Sequence, residues 1–362
     1  MKPENIFKPL CALLIIIAIN MIVPALIAIY YHEFNSLRAF CYVIASIIIL
    51  CSTILFFSRK TKESQLQTRE GFLFVTLSWI SASAMGALPL YISGSIPDFT
   101  SAFFEIISGF TTTGATILTD IESLPRSILF WRSQTHWLGG MGIVVLTVAV
   151  LPMLGIGGLQ LIKAEAPGPK MDKLAPRVTG TAKILWIIYL GLTVIETFLL
   201  MFGGLNLFDA LTTTFGTLAT GGFSTYNSSI GYFDSFYVHT VVTVFMVLAG
   251  INFSLHYRLI TGNIMQILKD SEYKLFISIF TVSSILIAVN LFYKGLYHSF
   301  YDSLRHAAFQ TASILTTTGF ASTDYSNWPS ISLSILFILM FIGGCSGSTG
   351  GGIKIKIGRA HV

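Results

Sequence analysis

Eight long stretches of this chain carry almost no charge, and they limit the fold more than any other feature. They run at about 10–31, 39–57, 71–93, 128–154, 184–203, 236–255, 275–293 and from 331 onward. Most reach the roughly 20 residues that a helix needs to cross a bilayer. In lipid every backbone polar group must be satisfied inside the segment, so runs of this length predict spanning helices. Only 11% of the 362 residues are charged, against about 25% in a soluble domain. So few charges cannot cover a water-facing surface, which excludes a soluble enzyme or a nucleic-acid binder. Cys11, Cys41, Cys51 and Cys345 lie in or beside apolar runs, with no metal-like spacing and no disulfide pattern. The expected class is an all-α polytopic membrane protein.

Charge placement sets the orientation. With the N-terminus inside and one crossing per run, seventeen of the 22 lysines and arginines fall on the inner side. Lys2, Lys8, Arg59, Lys60, Lys163, Lys170, Arg258 and Lys274 are among them. Arg38, Arg126, Arg132, Lys294 and Arg305 fall outside or at outer helix ends, so the positive-inside rule makes the N-terminus cytoplasmic. Acids such as Glu33, Asp98, Glu105, Asp209, Asp234 and Asp324 collect outside and favour cations there. Arg132 and His136 read as side chains that snorkel to the outer interface. Glu196, in mid-span, reads as a hydrogen bond between helices, with ion coupling as the functional alternative.

Three stretches resemble one another. They are Ser101–Gly114, Phe208–Gly221 and His306–Gly319, aligned on their final glycines. Each lies between two spanning runs, on the outer side, and offers about ten helix-compatible residues followed by a Thr/Gly segment. That length is too short to cross; it fits a half-helix that dips in and returns as extended backbone, which is tolerated only where it lines water or protein. Glycine permits backbone angles closed to other residues, and Thr113, Thr220 and Thr318 add hydroxyl oxygens without bulk. Rings of such oxygens replace the hydration shell of a monovalent cation. Small-residue helix packing explains one such tract but not three in register.

Thr111-Thr-Thr-Gly-Ala-Thr116, Leu218-Ala-Thr-Gly-Gly-Phe-Ser-Thr225 and Thr316-Thr-Thr-Gly-Phe-Ala321 resemble filter loops of the Trk/Ktr/HKT potassium transporter superfamily. Within it the likeness is to bacterial TrkH subunits. Trp131–Gly142 and Gly343–Lys354 carry the resemblance further, and together the motifs cover essentially the whole chain. It implies a pore-forming subunit of a bacterial potassium uptake system in the cytoplasmic membrane. Potassium is the substrate, no cofactor is held by this chain, and the chain is not an enzyme. A homodimer is implied, with a cytoplasmic TrkA-type regulatory partner that alone would bind nucleotide. The filter implied is Thr112, Thr113 and Gly114; Ala219, Thr220 and Gly221; and Thr317, Thr318 and Gly319. The gating loop implied within the third repeat's second helix comprises Gly343, Gly344, Gly347, Ser348, Thr349, Gly350, Gly351, Gly352 and Lys354.

The domains expected are two extra helices at 1–66 and pore repeats at 67–165, 166–270 and 271–356. The family has four repeats; a fourth is expected beyond Lys356. Ile357-Gly-Arg-Ala-His-Val362 reads as a non-native tail, because it matches one reading frame of a common sequencing adapter. Two other functions compete. One is a sodium- or proton-coupled carrier with alternating access. The other is an intramembrane serine protease, because Gly344-Cys-Ser-Gly347 matches its motif, but the only histidine after Ser346 is His361, within the tail read as non-native. The spacing of Gly347 and Gly352 suits a phosphate loop, yet Ile353 stands where lysine is needed.

Overall fold

The structure is a computed structural model, and it describes residues 4–57, 68–142 and 178–355. These form helices joined by loops and two short 3-10 turns, with a single isolated bridge between Ile342 and Ile353. Five helices among the described residues are long and apolar enough to cross a membrane: Ile6–Tyr30, Phe34–Phe57, Arg69–Ile92, Ala182–Phe202 and Ser271–Tyr293. All five were expected from hydropathy. The second half of the run at 128–154, the basic residues from Lys163 to Arg177, and the tail at 357–362 lie outside the described residues. The chain divides into two compact units, residues 1–186 and 187–362.

In the first unit, α1 (Glu4–Asn20) and α2 (Ile22–Tyr30) make one span broken at Met21. Pro24 lacks an N–H, so the carbonyl four residues earlier loses its helical partner and the hydrogen-bond ladder is interrupted there. Next come α3 (Phe34–Phe57), α4 (Thr68–Ile92), the short α5 (Phe99–Phe110) and α6 (Arg126–Gly140). Phe40, Ile106, Phe110 and Trp131 share one buried cluster with Leu13 and Ile17. The indole N–H of Trp131 donates to the Gly86 carbonyl at 2.9 Å. A helix start leaves N–H groups without partners. Glu33, between α2 and α3, meets those of α6 by accepting from the N–H of Arg126 (2.6 Å) and Ser127 (3.0 Å).

Gly139 shows why the Gly-Gly pair ends α6. A Cβ there would sit 1.9 Å from the Phe110 carbonyl oxygen, so only glycine lets α6 meet the end of α5. Because backbone is the obstacle, Gly139→Ala is expected to destabilise the protein by about 3 kcal/mol, the upper end for overpacking. Thermal unfolding of the detergent-solubilised protein checks this; an unchanged transition would contradict the close approach.

The second unit holds most of α7 (Val178–Phe202), then α8 (Leu207–Leu218), α9 (Phe236–Ala249), α10 (Phe253–Ile260) and α11 (Ile264–Lys269). It ends with α12 (Ser271–Tyr293), α13 (Phe300–Leu315) and α14 (Ser330–Leu339). The apolar run at 236–255 is not one straight span as expected: α9 and α10 meet at a bend of 102°. Groups distant in sequence satisfy the carbonyls freed there. Ala249 accepts from the Thr349 N–H (3.3 Å) and Gly250 from the Cys345 N–H (2.9 Å). The Asn252 side chain caps α10 by accepting from the Ser254 N–H at 2.8 Å.

Candidate ion filter and gate

The three short helices α5, α8 and α13 have 12, 12 and 16 residues and carry the expected repeat. Asp98, Asn206 and Ser299 cap their N-termini, each side chain accepting a backbone N–H. Their C-termini end in one shared turn. In α5 the N–H of Thr112 reaches the Gly109 carbonyl (3.0 Å), and that of Thr113 reaches Ser108 (2.9 Å). Thr220 and Gly221 repeat the pattern onto Thr217 and Gly216, and Thr317 and Thr318 repeat it onto Ile314 and Ser313. This is a Schellman motif, whose left-handed residue is usually glycine. Here it is threonine: φ is 53° at Thr112, 52° at Thr220 and 60° at Thr317. A β-branched residue is a rare visitor to that region, and holding it there costs about 1–3 kcal/mol. Two residues later the backbone is left-handed again, at Gly114 (74°), Gly222 (79°) and Gly319 (84°).

That geometry corrects the alignment of the second repeat. Gly222, not Gly221, is the equivalent of Gly114 and Gly319. The stretch matching Thr112–Gly114 and Thr317–Gly319 is therefore Thr220-Gly221-Gly222. Ala219 is the C-cap of α8, as Thr111 and Thr316 cap α5 and α13. Two adjacent glycines gave the comparison of residue types a choice it could not make.

The threonine hydroxyls are largely engaged inside the turns. Those of Thr111 and Thr113 pair at 2.8 Å, those of Thr316 and Thr318 at 2.7 Å, and that of Thr220 donates to the Ala219 carbonyl. Main-chain oxygens are therefore the donor set these arms can best offer a cation. The second and third arms touch. A Cβ on Gly222 would lie 2.0 Å from the Thr318 carbonyl oxygen. Ala321 is tied on both sides to the loop between α8 and α9, accepting from the Gly231 N–H (3.0 Å) and donating to the Ser229 hydroxyl (3.2 Å).

After α14 the chain loses helical form, as the Gly/Ser-rich sequence predicts. The loop is held at several points. The Thr349 hydroxyl lies 3.0 Å from the Leu218 carbonyl, at the end of α8, and 3.2 Å from that of Ala249. Gly351 N–H donates to the Thr317 hydroxyl at 2.7 Å, directly onto the third arm. Ser346 N–H donates to Glu272 at 2.6 Å. The Lys354 ammonium donates back to the Gly350 carbonyl and to the Ser348 hydroxyl (3.3 Å).

A family profile described as a cation transport protein, TrkH, matches residues 38–357. The chain belongs to the TrkH family. It is 43% identical to the Trk system potassium uptake protein TrkH of Escherichia coli (strain K12), over 95% of this chain and 71% of that relative. The Salmonella typhimurium (strain LT2) protein of the same name is 42% identical over the same shares. The crystal structure of the potassium transporter TrkH from Vibrio parahaemolyticus superposes with a TM-score of 0.84 at 38% identity, covering 98% of this chain and 73% of that one. A TrkH-family chain with five long apolar helices is a multi-pass membrane protein of a transport family.

Other singled-out residues in this TrkH-family chain stand differently from expectation. Arg132 and His136 do not snorkel: both are buried, and the Arg132 Nε lies 2.5 Å from a Glu105 oxygen. Hydropathy could not reveal that pairing, because the partner is on another helix. Glu196 is fully buried in α7 near Thr217, yet among the described residues neither carboxyl oxygen completes the expected hydrogen bond. The Ser346 hydroxyl has no hydrogen-bond partner among the described residues, so no base is paired with it there. At the start of α5, the Ser101 backbone N–H holds the Asp98 carboxyl below the usual carboxylate range. Asp324 is lowered by the Ser326 hydroxyl and N–H. Both therefore stay anionic near neutral pH.

Proposed function

We propose that this chain is a pore-forming subunit of a bacterial potassium uptake system, multi-pass in the cytoplasmic membrane with its N-terminus inside. Its pore repeats are 67–165, 166–270 and 271–356, preceded by two extra helices. One observation carries the reading: the same strained turn, threonine then glycine in left-handed conformation, ends all three half-helices. Strain of this kind persists where surrounding structure enforces it, and it clusters at ligand clamps. Potassium sheds water at the oxygens of Thr112–Gly114, Thr220–Gly222 and Thr317–Gly319. The membrane potential drives it inward, worth about 2.3 kcal/mol per charge per 100 mV.

The loop at 343–354 gates the path. Its bonds to Leu218 and Thr317 support this, since a segment fixed to the ends of two filter arms controls the space beneath them. A homodimer and a cytoplasmic TrkA-type regulatory subunit that binds nucleotide complete the system. Relatives named as Trk system potassium uptake proteins support potassium as the substrate. A coupled carrier would place its site at an interface between repeats, whereas here the candidate oxygens lie within each hairpin.

The test is expression of the complete gene in bacteria that lack their own potassium uptake systems. Growth at low potassium and saturable rubidium influx, inhibited by potassium far more than by sodium, are the expected results. Influx no greater than in cells carrying an empty vector would refute the proposal.

A further inference from the structure

Each half-helix also grips the strand that returns from its own filter arm. In the second repeat Asp209 accepts from the Tyr226 hydroxyl at 3.0 Å. In the third, His306 Nδ1 lies 3.1 Å from the Ser322 hydroxyl, while its Nε2 lies 2.9 Å from an Arg305 nitrogen. A guanidinium only donates, so Nε2 accepts and Nδ1–H donates to Ser322. The first repeat has the strongest clasp. Glu105 on α5 accepts from the Thr116 hydroxyl (2.9 and 3.1 Å to its two oxygens) and from the Ile117 N–H (3.1 Å). Arg132 on α6 holds the same carboxylate at 2.5 Å, and both side chains are almost wholly buried. Thr116 and Ile117 follow Gly114 closely, so this ion pair fixes where the first arm leaves its left-handed glycine.

We infer that Glu105, anchored by Arg132, is a positioning residue for the first filter arm and sets its ion discrimination without touching the ion. Charge-assisted hydrogen bonds are shorter and stronger than neutral ones. Three donors converge on one buried carboxylate, which over-determines a strand that would otherwise relax away from the strained Thr112. The inference rests on reading Thr112–Gly114 as part of a potassium filter.

Rubidium influx and sodium competition in the full chain, with membrane levels measured by immunoblot, test it. Thr116→Val removes one clasp bond and leaves the ion pair. Glu105→Gln with Arg132→Gln removes both charges together, and Glu105→Asp keeps the carboxylate. Displacement of a binding group by a fraction of an ångström predicts about tenfold poorer rubidium-over-sodium discrimination in the double variant and about threefold in Thr116→Val. The rubidium KM should rise more than the maximal rate falls, and Glu105→Asp should recover part of the loss. Gly319→Ser, in the third arm, serves as the control for the filter itself. Wild-type discrimination in Thr116→Val and in any accumulating charge variant, with discrimination lost in Gly319→Ser, would overturn the positioning role and leave the filter standing. If Gly319→Ser also discriminates as wild type, the filter reading itself is wrong. Should the double variant fail to accumulate, Thr116→Val decides.

Discussion

Gly222→Ala is expected to abolish selective uptake, and Gly221→Ala to be much milder. Gly222 has φ 79°, where any side chain costs about 1–2 kcal/mol. Its new methyl group would also meet backbone: the Thr318 oxygen at 2.0 Å and carbonyl carbon at 3.0 Å, and the Gly319 carbonyl carbon at 3.2 Å. No rotamer change relieves a clash with main chain, so two filter arms must move together. Strain and overpacking sum to about 3 kcal/mol or more, a factor of about 100. Gly221 lies outside the left-handed region and escapes the first cost. Initial rates of rubidium uptake, normalised to protein in the membrane, measure both variants. Equal losses, or a greater loss at Gly221, would return the filter to the register that residue matching alone suggested.

Thr349→Val combined with Lys354→Met should raise flux and weaken control by the regulatory partner. Thr349 pins the loop to the end of α8 and to the break after α9, and Lys354 draws the loop back onto Gly350 and Ser348. A neutral hydrogen bond contributes about 1 kcal/mol and one from a charged group about 1.5–3 kcal/mol. Losing both moves the balance between held and released loop by about 3 kcal/mol, enough for a flux increase of about tenfold or more before full opening limits it. Potassium efflux from proteoliposomes, with and without the partner, gives the answer. Unchanged or lower flux would mean that these bonds do not close the path.

Much of the fold was legible because hydropathy is local. A residue in a long apolar run carries its preference wherever the rest of the chain lies, and five expected spans are present with ends shifted by only a few residues. The half-helices were legible for a similar reason: a short apolar segment and its Thr/Gly end form one contiguous pattern. The apolar run at 236–255 misled, because its composition is continuous while its backbone bends by 102°. That bend is tolerated because Cys345 and Thr349, about one hundred residues away, supply the missing N–H groups.

Arg132 failed for a related reason. An arginine near an outer helix end is equally consistent with snorkelling and with a buried pair, and only the position of Glu105 across the α5–α6 contact distinguishes them. From residue order alone came membrane residence, the orientation expected from charge, the threefold repeat and the glycine-rich loop, all properties that sum over neighbours in the chain. Tertiary structure decided which of two adjacent glycines turns the second arm, what neutralises Arg132 and which amides meet a broken helix. Those depend on backbone angles and on distances through space, which no count of residue types contains.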